Sequence, residues 1–325
     1  MLEGKLVILM ATYNGSAYLS DQIASIIAQS YTGWTLLIRD DGSTDGTLDL
    51  IRDFACRDSR INILSDEQGK KGASGNFNAL LLSAFNSDAA YFLLSDQDDV
   101  WAENKIEEQT HLIEELELKY PDKPILIHSD LSVVDESLVN IHGSFMRYQG
   151  IHHEGANSLD VLLTQNFVTG CTVMINRQLL DAALPTPEEV LMHDWWLALC
   201  AAVYGRIEYI DKPLVKYRQH DSNEVGAKSF KNYLNPFKTN WMAHWIKGRD
   251  NLVLSMYQAR ILAERIKTCD PDNKNLQRIE AYSGLLKISP LNRLIKLNAL
   301  GIHAQSKLRQ ALLLSRLLFS HSSKE

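Results

Sequence analysis

The sequence predicts an α/β fold, a mostly parallel sheet flanked by helices, followed by a helical C-terminal region. Three observations carry that expectation. Short apolar runs of strand length alternate with stretches of helical periodicity from Lys5 to Ser129. Three of those runs stop in polar clusters, TYNG, DDGSTD and DQDD. Beyond about residue 226 the chain turns Leu-rich and basic and keeps only the helical spacing.

Lys5–Thr12 (KLVILMAT) is apolar without alternation, as a strand covered on both faces must be. It leads through Tyr13–Ser16 into Ala17–Gln29, where apolar residues recur at helical spacing. Trp34–Arg39 is the next strand, Thr47–Cys56 a helix and Ile61–Leu64 a short strand. Gly72–Phe85 opens with small residues and continues as a helix. Ala90–Ser95 (AYFLLS) is a buried strand, Glu103–Lys119 a charged amphipathic helix and Ile125–Ser129 a strand. From Ser158 the pattern is less regular. Met192–Gly205 reads as a helix and Ile207–Tyr217 as a strand pair. Asn240–Lys267, Asn275–Ile288 and Leu291–Phe319 read as helices. The expected division is one domain over residues 1–228 and a helical region over residues 229–325.

With 325 residues, 45% of them hydrophobic and 22% charged, the chain can bury a sizeable core. A net charge of −7 argues against nucleic acid as its partner. Residues 1–225 hold 16 Lys+Arg against 34 Asp+Glu, and residues 226–325 hold 17 against 6, balances of −18 and +11. Two regions with different partners are one explanation, and a basic tail docked on an acidic body is another. The four cysteines (Cys56, Cys171, Cys200, Cys269) are widely spaced and form no CxxC pair, the usage of a cytosolic protein with reduced thiols. The first residues read as a buried strand with no signal-peptide pattern, and no run of 18 apolar residues predicts a membrane-spanning helix.

In open α/β sheets ligands sit beyond the carboxyl ends of the strands, so the three clusters should share one edge. Asp96-Gln97-Asp98-Asp99 crowds carboxylates that repel one another unless a proton or a cation intervenes. A hard divalent ion shared with substrate phosphates is one solution. An acidic helix N-terminus is the other. Asp40 and Asp41 can hydrogen-bond a base imide or a ribose hydroxyl, Gly42 permits a tight turn, and Asp45 can cap the next helix. Thr12-Tyr13-Asn14-Gly15 adds a third wall, or is only a turn. Together the loops make a nucleotide-sized pocket.

Neither GxGxxG nor GxxxxGK[ST] is present, so a dinucleotide fingerprint and a P-loop are unsupported. Gly69–Asn78, which includes Asn76, comes nearest to a phosphate-cradling loop, with Lys70, Lys71 and the amides near Gly72 and Ser74 facing phosphates. Solvated lysines are the plainer reading. His193-Asp194-Trp195-Trp196 opens a helix, where a carboxylate beside aromatics suits a general base and two indoles offer faces to sugar rings. A helix cap with a Trp pair in the core explains the same residues. His220, with Arg218 nearby, is a candidate metal or diphosphate ligand, or an ordinary loop histidine. The basic C-terminal helices, with Trp241 and Trp245, fit either an interfacial membrane anchor or a helical cap or dimer face.

The motifs ATYNG (11–15), DDGSTDGT (40–47), DQDD (96–99), TGCT (169–172) and HDWW (193–196) resemble, in this order, those of glycosyltransferase family 2. The likeness covers roughly residues 4–225. More narrowly, DQDDVW, NFVTGCTVMINR, HDWWLAL and YRQHDSN are similar to the bacterial rhamnosyltransferase subgroup that builds cell-surface polysaccharides. The resemblance implies a GT-A (Rossmann-like) fold and an inverting, metal-dependent transfer. The implied donor is dTDP-L-rhamnose and the implied acceptor a saccharide or a lipid-linked saccharide. A UDP-sugar donor, or a non-catalytic nucleotide-sugar-binding scaffold, is the alternative.

By position, the resemblance implies that Asp40 contacts the base with Asp41 assisting, Asp96 faces the ribose and the metal, Asp98 ligates the metal and Asp194 is the catalytic base. Taken with the loops read above, the expected donor contacts are Thr12, Tyr13, Asn14, Asp40, Asp41, Asn76 and Asp96, the expected ligands of Mg²⁺ or Mn²⁺ are Asp98 and Asp96 with His220, and Gly170, Trp195 and Trp196 are expected to meet the acceptor. Two departures stand out. Asp99 adds a further carboxylate, which leaves open which of them hold the metal. His193 replaces the acidic residue that usually precedes the base. The QxxRW motif and membrane spans of the family's processive members are not seen, so no polymerising synthase is expected. The implied location is cytoplasmic, with peripheral contact at the inner face of the cell membrane.

Overall fold

The computed structural model describes residues 5–65, 69–155, 157–220 and 241–320. The chain divides into two compact units. One comprises Met1–Met146, Val168–Thr186 and Met192–Ala227, and the other Arg147–Phe167, Pro187–Leu191 and Lys228–Glu325. His220 is the last described residue before a gap that takes in the DSN of YRQHDSN.

The first unit carries one sheet. Its strands are β1 (Leu6–Thr12), β2 (Trp34–Asp40), β3 (Ile61–Ile63), β4 (Tyr91–Ser95), β5 (Val100–Trp101), β6 (Ile125–Val134), β7 (Asn140–His142), β8 (Met174–Asn176) and β9 (Arg206–Arg218). The order is β3-β2-β1-β4-β8-β6-β9-β5, with β7 paired to β6. Leu6 to Met10 of β1 are wholly buried, which is why this run carries no polar alternation. Helices α1 (Leu19–Ile27), α2 (Thr47–Arg57), α3 (Gly72–Phe85) and α4 (Lys105–Lys119) form the successive crossovers. In α1 the buried residues Leu19, Gln22, Ile23 and Ile26 recur at the spacing of one helix face.

Pairing is parallel from β3 through β2 and β1 to β4. Beyond β4 the sheet is mixed, because β8 runs antiparallel to both β4 and β6. This reversal has a consequence for chemistry. β8 starts at the carboxyl end of β4, where Met174 faces Leu93, so the preceding Gly170–Thr172 turn arrives on the same edge as DQDD. Helices α5 (Phe145–Gln149) and α6 (Ser158–Leu162) precede it, and α7 (Arg177–Ala183) and α8 (His193–Tyr204) follow. Ten of the 12 residues of α8 are buried, as suits a helix that is apolar all round.

The expected strand pair at Ile207–Tyr217 is one continuous strand, β9. Its register against β6 jumps between Ser129 and Asp130, which pair with Ile210 and Pro213. Pro213 has no amide hydrogen for the ladder, so the Asp-Lys-Pro segment makes a bulge rather than a turn.

The second unit holds α9 (Trp241–Cys269), α10 (Leu276–Ser283), α11 (Pro290–Ala299) and α12 (Lys307–Phe319). The single helix expected over Leu291–Phe319 is two, because Gly301 takes a left-handed φ of 69°. Ser306 then caps the new helix by accepting from the Arg309 amide at 3.2 Å. Buried Arg293 donates to the carbonyls of Leu317 (3.1 Å) and Ser320 (2.6 Å), a cation at the C-terminal end of α12. Among the described residues no helix is long and apolar enough to cross a membrane.

Candidate active site

The loops that follow β1, β2 and β4 interlock by side chain. Thr12 Oγ1 donates to Asp40 Oδ1 at 2.9 Å, and Asp40 Oδ2 accepts from the amides of Gly42 and Ser43 at 3.0 and 2.7 Å. Asn14, with a left-handed φ of 47°, accepts from the Thr44 amide and donates its own amide to Ser43 Oγ. Asp45 accepts from the amides of Ser16 and Thr47, joining the first loop to the start of α2. Partial burial pulls its carboxyl upward, but hydrogen bonds from Thr47 and Ser16 outweigh that and hold it at about 2. Tyr13 stays exposed, with Lys70 Nζ 3.8 Å from its ring centroid.

Beneath this rim lies a buried polar frame. Asp41 pairs with Arg39 at 3.0 Å, and the side chains of both are 2% exposed. Asn76 accepts from Arg39 and donates to the carbonyls of Thr12 and Arg39. Three expected donor contacts change meaning here. The side chains of Thr12, Asp41 and Asn76 are buried and engaged with protein groups, so they shape the pocket from below. The phosphate-cradling reading of Gly69–Asn78 is corrected for the same reason. The amides of Lys71 and Gly72 at the start of α3 already hold an anion, the Asp41 carboxylate, at 2.8 Å each.

At the end of β4 the carboxylates of Asp96 and Asp99 and the Cys171 thiol offer ligand atoms within 4.8 Å of one another. Asp98 Oδ2 lies 2.8 Å from His220 Nε2, and the His220 ring rests against Tyr18 with centroids 4.7 Å apart. Arg218 fastens β9 to this loop, donating to Asp98 O at 2.9 Å and from its amide to Asp99 Oδ1 at 3.2 Å. Burial, then the charges of Asp98 and Asp96, push the Asp99 carboxyl well above the ordinary range, against hydrogen bonds from Cys171 and Arg218. Its Oδ2 is buried without a hydrogen-bond partner. A crowded set of carboxylates with an orphaned oxygen fits a hard divalent cation. Burial, then the charges of Asp99 and Asp96, raises the Cys171 thiol well above its usual value.

Asp194 opens α8 and is 8% exposed. Its Oδ2 accepts from the Gly170 amide at 3.1 Å and its Oδ1 from the Trp195 amide at 2.6 Å. A Cβ on Gly170 would stand 3.2 Å from His193 Nε2 and 3.6 Å from Asp194 Oδ2, so this approach suits glycine. His193 stacks on Phe77 with centroids 4.0 Å apart, and burial lowers its imidazole to about 3, so it stays neutral. The indoles behave differently from expectation. Trp196 is wholly buried and its Nε1 donates to Ala183 O at 2.9 Å, which makes it core and removes it as an acceptor contact. Trp195 keeps only 9% exposure.

Sequence reasoning missed two supports. Gln97 sits between the paired acids, and its amide clasps the backbone of Tyr13. Lys105 is wholly buried over the Trp101 ring and donates to Gln109, which in turn donates to Thr172 O. Burial brings the Lys105 ammonium down to about 7. Neither stands out in the sequence, since Gln97 lies among aspartates and Lys105 in the charged run ENKIEE.

Comparison with known proteins agrees with this geometry. The model of glycosyl transferase family 2 matches residues 7–181. The dTDP-rhamnosyl transferase RfbG of Shigella flexneri is 30% identical over 236 residues, 68% of this chain and 75% of that one. The UDP-Glc:alpha-D-GlcNAc-diphosphoundecaprenol beta-1,3-glucosyltransferase WfgD of Escherichia coli is 31% identical over 228 residues, 69% and 80% of the two chains. Among solved structures, S. aureus TarS 1-349 in complex with UDP-GlcNAc superposes with a TM-score of 0.56 at 15% identity, covering 97% of this chain and 89% of that one. The mannosyltransferase PcManGT of Pyrobaculum calidifontis, in complex with GDP-Man and Mn²⁺, gives 0.53 at 17% identity, covering 92% and 74%. At such identities the superpositions speak for the fold alone, the α/β GT-A fold with a mixed sheet and a helical C-terminal region. The chain belongs to glycosyl transferase family 2 and is a glycosyltransferase.

Proposed function

We propose that this glycosyltransferase moves L-rhamnose, with inversion, from dTDP-L-rhamnose to a saccharide or lipid-linked saccharide in the assembly of a cell-surface polysaccharide. One observation supports the geometry of transfer above the others. Two consecutive residues touch both halves of the site. Gly170 donates its amide to Asp194, and Cys171 lies within 4.8 Å of the Asp96 and Asp99 carboxylates. The proposed base and the acidic loop therefore flank the same short turn. The rhamnosyl reading draws on the likeness to RfbG and on the HDWWLAL and YRQHDSN motifs.

In this reading Tyr13, Asn14 and Asp40 meet the nucleoside and Asp96 the ribose. Asp194 Oδ2 takes the proton of the acceptor hydroxyl, whose oxygen attacks the anomeric carbon as the bond to the diphosphate breaks on the opposite face. Mg²⁺ or Mn²⁺ held by Asp98 and Asp96 with His220 would supply the positive charge that the departing diphosphate needs. The Asp194 carboxylate is kept in place by the amides of Gly170 and Trp195. The test is binding and slow hydrolysis across dTDP-rhamnose and UDP-glucose, with and without Mn²⁺. Metal-dependent cleavage of dTDP-rhamnose is the expected result. The likeness to WfgD supports a UDP-sugar donor as the second reading, and a preference for UDP-glucose would select it.

The acceptor side of the proposal places the helical unit on the inner face of the membrane. Met242 and Phe319 are 68% and 65% exposed, and with Trp241, Trp245 and Ser315 they line a cleft of about 390 Å³. The balance of +11 over residues 226–325 suits anionic headgroups. Flotation of the full chain with phosphatidylglycerol vesicles, lost in the M242S/F319S double variant, is the expected behaviour. Concentration-dependent dimerisation without flotation would instead make this face a subunit contact.

A further inference from the structure

β1 and β4 pair in parallel as far as Met10 opposite Ser95. Past that register their main chains carry different loops, the first with Tyr13, the second with the acidic Asp96–Asp99 run. The ladder nevertheless continues through a side chain. Gln97 Oε1 accepts from the Tyr13 amide at 2.9 Å, and Gln97 Nε2 donates to the Tyr13 carbonyl at 3.0 Å. This two-bond clasp holds both polar groups of one residue, and it needs both ends of a carboxamide in one orientation. The space is closed around it. A Cβ on Gly15 would come within 2.2 Å of Gln97 Oε1, so a side chain there would push the carboxamide off Tyr13. The next residue, Asn14, is tied to Ser43 and Thr44 of the second loop. Tyr13 thus has its backbone fastened on two sides while its ring stays exposed beneath Lys70.

Gln97 lies between Asp96 and Asp98 in sequence, so a main-chain shift of that loop onto a cation would be carried to Tyr13 by the clasp. We propose that Gln97 is the positioning residue that couples a cation at the acidic loop to the nucleoside at the Tyr13 loop. The inference rests on the donor-binding reading above. It adds that metal and base communicate through the protein as well as through the diphosphate that bridges them. Sites linked this way show a reciprocal coupling free energy, typically fivefold or more in affinity.

The test uses a ligand without the phosphates that would bridge to the metal. Thymidine and uridine lack phosphates, so any effect of Mn²⁺ on their affinity runs through the chain. Titrations of the full-length protein followed by ligand-observed NMR should show roughly fivefold tighter nucleoside binding with Mn²⁺. Gln97→Leu should abolish that difference, bringing the ratio of nucleoside affinities with and without Mn²⁺ to unity. Gln97→Glu, of equal size, keeps the acceptor but sets an oxygen against the Tyr13 carbonyl, and should likewise lose the Mn²⁺ effect. An unchanged Mn²⁺ effect in Gln97→Leu or Gln97→Glu overturns the proposal, as does the lack of any effect in the parent. Failure of the donor reading looks different, for then dTDP and UDP themselves would not bind the parent with Mn²⁺.

Discussion

Asp194 Oδ2 lies 3.1 Å from the amide nitrogen of Gly170, 24 residues earlier in the chain. The contact exists because β8 runs against β4 and so delivers Gly170 to the edge where α8 begins. A carboxylate held at both oxygens by backbone amides is oriented before any acceptor arrives, which is how a base avoids reorganising during reaction.

Replacing Asp194 by Asn keeps the shape and removes the proposed base. Transfer should fall by about 10²–10⁴-fold while dTDP-sugar affinity changes little. Calorimetric donor binding alongside turnover checks this, and retained turnover would remove the assignment.

Gly170→Ala probes the support rather than the base. The added methyl meets His193 Nε2 at 3.2 Å, so the ring beside the carboxylate must give by tenths of an ångström, while Asp194 Oδ2 at 3.6 Å stays in ordinary contact. If the His193 shift is passed on to the adjoining Asp194, kcat should fall roughly 10- to 100-fold, and donor affinity should stay unchanged. Equal loss of donor affinity would mean that the substitution disturbs the whole edge.

His220 holds Asp98 at 2.8 Å. His220→Ala should weaken Mn²⁺ affinity by about 10–100-fold, and Asp98→Ala should weaken it further and erase metal-dependent donor binding. Paramagnetic relaxation of water by bound Mn²⁺ measures both variants. Unchanged relaxation titrations would move the metal to other carboxylates.

His193 predicts a pH dependence of stability. Its folded-state value, lowered by burial to about 3, lies below the ordinary 6.5. The unfolded chain therefore takes up a proton that the folded chain refuses, and stability falls as pH drops below about 6.5 toward 3. The slope from this group approaches about 1.4 kcal/mol per pH unit. In urea titrations His193→Phe should be less acid-sensitive than the parent over this range, and an identical profile would count against the buried neutral imidazole.

Asp41 and Arg39 pair with side chains 2% exposed, and Asp41 also caps α3. Asp41→Asn leaves a buried guanidinium short of its partner and should cost about 3–5 kcal/mol. Chemical denaturation checks the figure. A small stability change with lost donor binding would restore Asp41 as a direct ligand contact.

Much of this was legible in the residues alone. The strands and crossovers from Leu6 to Lys119 follow from uninterrupted apolar runs and 3.6-residue spacing, because a sheet covered on both faces tolerates little else. That Tyr13, Asp40 and Asp96 share an edge follows from parallel strand direction. Local pattern says nothing, however, about which polar groups spend their hydrogen bonds inside the protein. Asp40 and Asp41 are neighbours with the same chemistry, yet one lies at the rim and the other is buried against Arg39, since alternate side chains point to opposite sides of the chain. Trp195 and Trp196 look alike in sequence, and only packing sends the second into the core. The direction of β8, the meeting of Gly170 with Asp194 and the Gln97–Tyr13 clasp join residues 24 to 85 positions apart. Such contacts depend on the path of the whole chain, so tertiary structure alone decided them.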